Sequence, residues 1–287
     1  PAVGAFIGGR KRPTEIEVRA WLQGLKTSTD ACHWAILDNE SGEFAGQVAL
    51  HGYDGDKNSM NLSISLAGSR WFDRGIGTSA LDAVLTHAFD QLALTRVNLE
   101  VLVGNQRAHR VFDKIGFQVG RQFNQGANRY QRMAITKLDF IGAMADRLMG
   151  ESLDTQRWSF VFDSGKRRAG LCDYTHKRIS LSRHLANLHS IDEARQVIWH
   201  EVAHALCGKR EGHGKKWLAT AKALGYRAQK FDGNKIAENT ASWIGACPSG
   251  HPHYRYRKPT RPISCGLCSK NFDERYLIAW KHRDDSQ

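Results

Sequence analysis

Two histidines flank a glutamate in the run His200-Glu201-Val202-Ala203-His204. On a helix, residues four apart project from one face, so both imidazoles can bind a single metal ion. Glu201 lies about 100° around the same helix, within reach of a metal-bound water. Zinc lowers the pKa of such a water to about 7, and the carboxylate can take its proton as the water attacks a carbonyl. This run predicts a hydrolytic zinc site with Glu201 as its catalytic base.

A zinc site of this kind needs a third protein ligand. The residue six positions after His204 is Arg210, which does not bind zinc, whereas His213 follows nine positions after His204. His213 comes just before a second predicted helix, so it can be delivered from the start of that helix. We predict that His200, His204 and His213 hold the catalytic ion.

Four further metal ligands lie near the end of the chain. Cys247 and His251 form a C-x3-H pair, and after thirteen intervening residues Cys265 and Cys268 form a C-x2-C pair. Each pair can form a tight knuckle, and four ligands of this type close a tetrahedral structural site. His253 is an alternative fourth ligand, but the shorter loop favours His251. We therefore predict two zinc ions per chain, one catalytic and one structural.

The second half of the chain carries most of the excess positive charge. Residues 1–138 contain 16 Lys and Arg against 13 Asp and Glu, whereas residues 139–287 contain 25 against 16. No acidic residue occurs from Ala246 to Asn271. Basic and aromatic side chains alternate between the two knuckles: His253, Tyr254, Arg255, Tyr256, Arg257, Lys258 and Arg261. Such side chains pair with phosphates and stack on bases, which predicts DNA as a partner; the alternative is a solvated charged surface.

A different kind of site is indicated by Arg74-Gly75-Ile76-Gly77-Thr78, which follows a predicted strand and opens a predicted helix. Glycines let a ligand approach the backbone closely, and the free N–H groups of a helix N-terminus bind anions such as a pyrophosphate. Further along the chain, Asn105 begins a second helix after another strand. The pattern predicts an anionic ligand at this loop.

The elements that carry these residues divide the chain into two parts. In the first part, strands are predicted at 33–37, 47–53, 60–66, 97–103 and 130–135, with helices at 15–25, 77–92 and 105–115, so the fold class is mixed α/β. In the second part, helices are predicted at 139–149 and 214–224, with strands at 160–162 and 178–181. Ser190 and Glu193 fit a capping box that begins a helix ending at Cys207.

The bulk composition limits the class of protein. A length of 287 residues suffices for two cores, and 41% apolar residues indicate a soluble globular protein. No run approaches the ~20 apolar residues that span a bilayer, and residues 1–12 lack the pattern of a secretory signal. The chain does not begin with Met, so a trimmed or incomplete start is expected. Cysteines clustered beside histidines favour metal binding in a reducing compartment, and we expect a cytoplasmic protein with no membrane partner.

From about Asp139 to its end, the chain resembles the SprT-like metallopeptidase family. The segments that carry the resemblance are 158–163, 167–172, 179–182, 200–204 and 212–217, in that order. The resemblance implies a mainly helical, zincin-like zinc protease that acts on DNA-associated protein and is followed by a zinc ribbon. Ribbons of that family more often use four cysteines, so His251 is a departure from the pattern.

From about Val18 to Leu138, the chain resembles the GNAT acetyltransferase superfamily, nearest to its RimJ/RimL-like branch. The segments 74–78 and 105–117 carry this resemblance. It implies a mixed-sheet domain that transfers an acetyl group from acetyl-CoA directly to an amine. The backbone amides of Arg74, Gly75, Ile76, Gly77 and Thr78 would hold the pyrophosphate, and Asn105 would contact the pantetheine arm.

Two positions depart from the GNAT pattern. Phe72 stands where a Gln or Arg usually opens the phosphate loop, and Phe112 stands where a tyrosine often protonates the CoA thiolate. His51 and Asp54 lie near the expected cleft and are candidates for the base that deprotonates the amine, although a structural role is the other reading of both.

The combined prediction is a bifunctional protein of three parts. Residues 1–138 form a GNAT-like acetyltransferase domain, 139–246 a SprT-like metallopeptidase domain, and 247–287 a zinc ribbon with a basic tail. The alternative is a nucleic-acid-binding adaptor whose GNAT half only binds acyl-CoA and whose zinc sites are structural. The presence of Glu201 favours the peptidase, because a purely structural site has no use for that carboxylate.

Overall fold

The computed structural model describes residues 31–166, 168–227 and 234–286. The chain forms two compact units, Pro1–Arg147 and Leu148–Gln287, each with its own sheets. The helix predicted at 15–25 lies outside the described residues. In the described part of the chain, no helix is both long enough and apolar enough to cross a membrane.

From residue 31 onward, where the structure describes it, the first unit is built on a six-stranded mixed sheet in the order β1-β2-β3-β4-β6-β5. Its strands are β1 (Ala31–Leu37), β2 (Phe44–Asp54), β3 (Ser59–Leu66), β4 (Arg96–Leu102), β5 (Gln118–Gln125) and β6 (Asn128–Thr136). Helix α1 (Ile76–Asp90) connects β3 to β4, and helix α2 (Gln106–Ile115) connects β4 to β5. The predicted mixed α/β class is confirmed.

Strands β3 and β4 are parallel and pair over only a short length. Ser59, Met60 and Asn61 pair with 96–98, and the ladder ends there although β3 continues to Leu66 and β4 to Leu102. The two strands therefore separate towards their carboxyl ends, on the side where α1 begins. Openings at the carboxyl ends of parallel strands are the usual ligand-binding positions of α/β sheets.

Helix α3 (Lys137–Gly150) completes the core of the first unit. Phe140 is fully buried, with its ring centroid 6.1 Å from that of Phe89 in α1. Arg147 forms an ion pair with Asp82 of α1 at 2.6 Å. Because of these contacts, the units divide at Arg147, whereas the sequence predicted a boundary at Leu138 and assigned this helix to the second domain.

The second unit contains a three-stranded sheet in the order β7-β9-β8. Strand β7 (Ser159–Asp163) is parallel to β9 (Arg178–Ser182), and β8 (Gly170–Asp173) is an antiparallel edge strand. The helices are α4 (Arg183–Leu188), α5 (Ile191–Cys207), α6 (Lys215–Leu224) and α7 (Asn234–Thr240). Helix α5 packs against β8, β9 and α6.

Helix α5 begins and ends where the sequence predicted. The Ser190 hydroxyl accepts from the Glu193 N–H, and the Glu193 carboxylate accepts from the Ser190 N–H, which completes the capping box. Gly208, at a φ of 84°, ends the helix. The face that carries Ala194, Ile198 and Val202 is buried, so the helix is held firmly in the core.

The last part of the second unit is a small sheet in the order β11-β10-β12. Its strands are β10 (Trp243–Ala246), β11 (Pro252–Arg255) and β12 (Ala279–His282). Cys247, Cys265 and Ile278 form its buried centre. This sheet begins at Trp243, slightly before the predicted boundary at Cys247.

Candidate active sites and metal centres

Three imidazole nitrogens converge in the second unit. The Nε2 atom of His200 lies 3.2 Å from that of His204 and 3.1 Å from that of His213, and the latter two are 3.1 Å apart. Nitrogen ligands of a tetrahedral zinc ion lie about 3.3 Å apart. Burial and the two neighbouring imidazoles lower the pKa of His200 to about 4, so this ring is neutral at pH 7, as metal binding requires. The three histidines fit one zinc ion.

Trp217 of α6 positions the three imidazoles. Its ring centroid lies 4.7, 5.3 and 4.6 Å from those of His200, His204 and His213, respectively. Its indole N–H donates to the His200 carbonyl oxygen at 3.4 Å, and the side chain is only 5% exposed. Trp217 therefore fixes rings from α5 and from the loop before α6 in one arrangement.

Glu201 is buried beside the imidazoles, with 8% of its surface exposed. Burial raises the pKa of its carboxyl group to about 7, and a hydrogen bond from the Cys172 N–H and the charge of Arg168 only partly oppose this. A group that takes up a proton near neutral pH has the property that a general base requires. The structure thus brings together the four residues predicted for the hydrolytic site.

Gly170, the first residue of β8, lines the cavity that contains Glu201. A Cβ atom on Gly170 would lie 3.0 Å from Cγ of Glu201 and 2.8 Å from Cγ1 of Val197, so only glycine fits without displacement. The cavity has a volume of ≈ 320 Å³, and Gly170, His200, Glu201 and Tyr226 are among its lining residues. As an edge strand, β8 can offer backbone N–H and C=O groups to an extended peptide.

The sequence did not predict a role for Tyr226, which follows the glycine that ends α6. Its ring centroid lies 5.5 Å from that of His200 and 5.7 Å from that of Trp217, and burial raises the pKa of its hydroxyl. The roles of Arg168 and the Cys172 N–H near Glu201 were also missed. In the sequence, the only indication of these roles was that both residues lie in the segment 167–172, which carries the SprT-like resemblance.

The four predicted ribbon ligands also meet. The Nδ1 atom of His251 lies 3.5, 3.6 and 3.2 Å from the sulfur atoms of Cys247, Cys265 and Cys268, and the Cys247 and Cys268 sulfurs are 3.8 Å apart. A tetrahedral zinc ion holds two sulfurs about 3.8 Å apart and a sulfur and a nitrogen about 3.6 Å apart. The cluster fits a second zinc ion, and His253 lies outside it.

The protonation state of Cys247 suits a metal ligand. Burial opposes ionisation of its thiol, but hydrogen bonds from the backbone N–H groups of His251 and Ser249 outweigh that effect and lower its pKa to about 6. The thiolate is the form that binds metals.

In the first unit, the predicted phosphate loop forms the start of α1. Gly75 is the N-cap of the helix, in the left-handed region at a φ of 78°. A Cβ atom on Gly75 or Gly77 would meet no atom within 4 Å, so the space above these glycines is open. The N–H groups of Ile76 and Thr78 lie in the first turn, where backbone donors have no partner within the helix. The Arg74 guanidinium lies 3.6 Å from Asp38 and 5.2 Å from the ring of Trp71.

Asn105 is the N-cap of α2, and its side-chain oxygen accepts from the Ala108 N–H at 3.2 Å. Two residues further along α2, the guanidinium of Arg107 lies 4.4 Å from the ring of Phe72 and 3.4 Å from Asp73. Phe72, which departs from the GNAT pattern of the phosphate loop, is therefore covered by the Arg107 guanidinium. The contact of Asn105 with pantetheine remains a prediction.

The two candidate bases of the first unit differ in their surroundings. Asp54 is held by Lys57, whose ammonium lies 2.7 Å away; hydrogen bonds from the Lys57 side chain and backbone lower the pKa of Asp54, which makes it a weak base. His51 pairs with Asn61, the last residue of β3 that pairs with β4, so it lies level with the point where these strands separate. Phe112 is buried, 5.5 Å from the ring of Phe117.

Comparison with known proteins finds a family match for two parts of the chain. Residues 1–118 match the acetyltransferase (GNAT) domain, and residues 141–238 match the SprT-like family. The chain carries a GNAT domain followed by a SprT-like domain. The SprT-like match begins within α3, the helix that packs in the core of the first unit.

Individual proteins of known sequence or structure are also similar to part of this chain. The Bacillus subtilis (strain 168) protein named "Putative ribosomal N-acetyltransferase YdaF" is 32% identical over 76 residues, which are 26% of this chain. The match spans 41% of that relative's length. A "putative acetyltransferase" from T. thermophilus has 24% identity, a TM-score of 0.45, and coverage of 53% of this chain and 82% of that one. The spermidine N-acetyltransferase from Vibrio cholerae in complex with CoA and spermine has 16% identity, a TM-score of 0.44, and coverage of 49% and 85%.

Proposed function

We propose that the SprT-like domain is a zinc-dependent peptidase with His200, His204 and His213 as metal ligands and Glu201 as general base. The observation that carries this proposal is the 3.1–3.2 Å triangle of imidazole nitrogens next to a buried carboxyl group. A zinc ion held there would polarise the scissile carbonyl and lower the pKa of a bound water. Glu201 would accept the proton of that water and hand it to the leaving amine, and Trp217 would keep the imidazoles in place.

The shape of the site favours an extended peptide as substrate. Strand β8 is the edge of its sheet and lies directly over Glu201, so a peptide pairing with β8 would bring a carbonyl group to the metal site. Main-chain pairing selects for an extended, locally unfolded segment rather than for particular side chains. Specificity would then come from whatever brings the substrate to the enzyme.

We propose that nucleic acid provides this localisation. The ribbon with its second zinc ion on Cys247, His251, Cys265 and Cys268 would hold the acid-free segment 246–271 in a fixed shape next to the peptidase. Its cations would bind phosphates of DNA, so that protein associated with DNA becomes the substrate. Zinc-bound thiolates are stable in a reducing compartment, which supports the expected cytoplasmic location.

The GNAT domain is proposed to be an acetyl-CoA-dependent N-acetyltransferase. The pyrophosphate would bind at the open N-terminus of α1, and the pantetheine arm would enter the gap between β3 and β4. His51 is the better candidate for the base that takes the amine proton, because Asp54 is ion-paired with Lys57. A carrier that only binds acyl-CoA is the alternative for this domain, and the buried Phe112 favours it because phenylalanine cannot protonate the departing thiolate.

Cleavage of a DNA-bound protein by wild type and by Glu201→Gln tests the peptidase proposal. The Gln side chain has nearly the same shape but cannot accept the proton, so we expect the variant to keep its zinc and lose cleavage by a factor of at least about 100. Asp192→Asn on the same helix is a matched control that removes a carboxylate outside the site. The proposal is wrong if Glu201→Gln cleaves at the rate of Asp192→Asn.

A further inference from the structure

The cavity beside Glu201 continues along helix α5 towards the start of that helix. One face of α5 lines it for about two turns, because residues three and four apart share a face of a helix. These residues, in the direction of the metal site, are Glu193, Gln196, Val197, His200 and Glu201. The cavity is therefore a side pocket of the candidate active site.

Gln196 lines the pocket with a polar side chain that already has partners in the protein. Its side-chain oxygen accepts from the Arg227 N–H at 2.7 Å, and its side-chain nitrogen donates to the Gly225 carbonyl oxygen at 3.4 Å. The residue is only 3% exposed. Gln196 therefore shapes the wall of the pocket, and its hydrogen-bonding groups serve the turn after α6.

Glu193 brings a carboxylate to the end of the pocket that lies furthest from the metal site. Its Oε2 atom accepts from the N–H and the hydroxyl of Ser190 at 2.9 and 3.1 Å, and its Oε1 atom lies 3.0 Å from Nδ1 of the buried His189. Glu193 is also the third residue of α5, where the helix N-terminus offsets a negative charge. A lysine or arginine side chain would have to compete with these partners, so this carboxylate does not make the pocket a site for cations.

Apolar groups form much of the remaining wall. They include Val197 of α5 and Leu185 of α4. An apolar cavity of about 150 Å³ holds one benzene ring, so a volume of ≈ 320 Å³ has room for the side chain of Phe, Leu or Met. Such a side chain gains free energy by leaving water, whereas a charged one would lose its hydration without gaining a partner.

Gly170 connects this pocket to the edge strand β8. A Cβ atom on Gly170 would lie 2.8 Å from Cγ1 of Val197 and 3.0 Å from Cγ of Glu201, so this face of β8 is directed at the pocket. Residues opposite each other on neighbouring strands carry their side chains on the same face of the sheet. In a peptide that pairs with β8, the residue opposite Gly170 therefore directs its side chain towards the pocket.

We propose that this pocket accepts a large apolar side chain, such as that of Phe, Leu or Met, from the substrate residue opposite Gly170, and that it thereby selects the bond to be cut. The proposal rests on the peptidase function proposed above. Pairing with β8 and localisation on nucleic acid determine which segments reach the site. The pocket determines where within a bound segment the cut falls.

Peptide binding without turnover tests this selectivity. Full-length Glu201→Gln protein containing both zinc ions is titrated into labelled peptides of Gly, Ser and Gln that carry one central Phe, Leu, Ala or Lys. We expect the Phe and Leu peptides to bind about 10–100-fold more tightly than the Ala peptide, and the Lys peptide no more tightly than the Ala peptide. Equal affinities for all four peptides, or a preference for Lys, would overturn the proposal.

Variants at Val197 locate the selectivity in the pocket. In the Glu201→Gln protein, Val197→Phe places a ring in the pocket, so the Phe and Ala peptides should bind within about twofold of each other. Val119→Phe makes the same change at a residue of β5 that is 65% exposed, and should keep the wild-type preference. Val197→Ala enlarges the pocket and should increase the affinity for a Trp peptide relative to the Phe peptide by about threefold or more. This variant only removes atoms, so it decides the matter if Val197→Phe does not fold, and an unchanged preference in the folded Val197 variants would contradict the assignment.

Cleavage by the wild type separates this proposal from the peptidase proposal. Mass spectrometry of the products should place Phe or Leu at one fixed position relative to the cut bond. If the wild type cleaves no peptide but the Glu201→Gln protein still prefers Phe and Leu, the pocket assignment stands and the peptidase proposal fails. If the wild type cleaves the Phe and Ala peptides at equal rates, the peptidase proposal stands and the pocket assignment is wrong.

Discussion

The Cα atom of Gly170 in β8 faces the side chain of Glu201 in α5, with room for a hydrogen atom but not for a methyl group. The nearest obstacles to a methyl group are Val197 Cγ1 at 2.8 Å and the Ser180 carbonyl oxygen at 2.9 Å, and the latter belongs to the backbone of β9. The edge strand β8 and helix α5 are therefore in direct contact at Glu201, the residue proposed as the general base.

We expect Gly170→Ala to reduce cleavage strongly and to lower the free energy of unfolding by about 1–3 kcal/mol, because either β8 or Glu201 has to move. Gly68→Ala is a matched control, since a methyl group there meets no atom within 4 Å. The measurements are the cleavage rate and urea unfolding of both variants. Wild-type cleavage by Gly170→Ala would show that β8 does not determine the position of Glu201.

Zinc analysis should find two ions per chain, bound independently. His213→Ala removes one of three nitrogen ligands and should release only the catalytic ion, whereas Cys268→Ser should release only the ribbon ion and unfold β10–β12. Mass spectrometry under native conditions gives both stoichiometries. A single ion in carefully prepared wild-type protein, or loss of both ions in either variant, would contradict this prediction.

The pKa of Glu201 predicts a pH dependence in the metal-free protein. Burial raises this pKa from 4.5 to about 7 in the folded chain, so between these pH values the folded state holds one proton more than the unfolded state. The contribution of Glu201 to stability is therefore present below pH 4.5 and lost as the pH rises to about 7. Relative to Glu201→Gln, wild type should lose up to about 3 kcal/mol between pH 4.5 and 8. Urea unfolding of both proteins in the presence of a chelator measures this difference, and a constant difference across the range would contradict it.

Acetyl-CoA binding should depend on the glycines at the start of α1. Gly77→Glu places a side chain and a negative charge in the open space above the helix N-terminus, where the pyrophosphate would lie, so affinity should fall by at least about tenfold. Gln122→Glu adds the same charge on the exposed strand β5 and should leave the affinity unchanged. Calorimetry with acetyl-CoA compares the two. Equal affinity of both variants would exclude this loop as the pyrophosphate site.

Reversal of the ribbon charges should remove the DNA dependence of proteolysis without removing the zinc ions. With Arg255, Arg257 and Lys258 changed to Glu, we expect the zinc content to stay at wild type and DNA to stop stimulating proteolysis. In the wild type, the stimulation should fall steeply from low to moderate salt, because binding releases counterions from DNA. The expectation fails if the triple variant still binds DNA with wild-type affinity and salt dependence.

The sequence predicted those helices and strands whose patterns involve residues only a few positions apart. The Ser190–Glu193 capping box and the buried face of α5 depend on residues a few positions apart, and the strands of the first unit that alternate apolar and polar residues were found. Strand β5 was missed because nearly all of its residues are exposed, which removes the alternation. Strand β8 was missed because four residues that begin with glycine carry almost no pattern.

The same reasoning explains which parts of the candidate sites were missed. The clustering of the candidate ligands could be predicted because metal chemistry restricts residue types and spacing, as in Cys265 and Cys268. Tyr226 and Arg168 could not be predicted, because they approach His200 and Glu201 only through packing between segments far apart in the chain. Their types, a tyrosine after a helix and an arginine in a loop, are common everywhere.

The position of α3 restricts how this gene can be divided or recombined. Phe140 fills the space beside Phe89, and Arg147 pairs with Asp82, so the first unit needs the helix up to Arg147 to close its core. A recombination event that exchanged the GNAT part at Leu138 would leave one product without its last helix and expose Phe89 to water. Viable exchanges of the acetyltransferase partner should therefore have their crossover point after Arg147, even though the SprT-like match begins at residue 141.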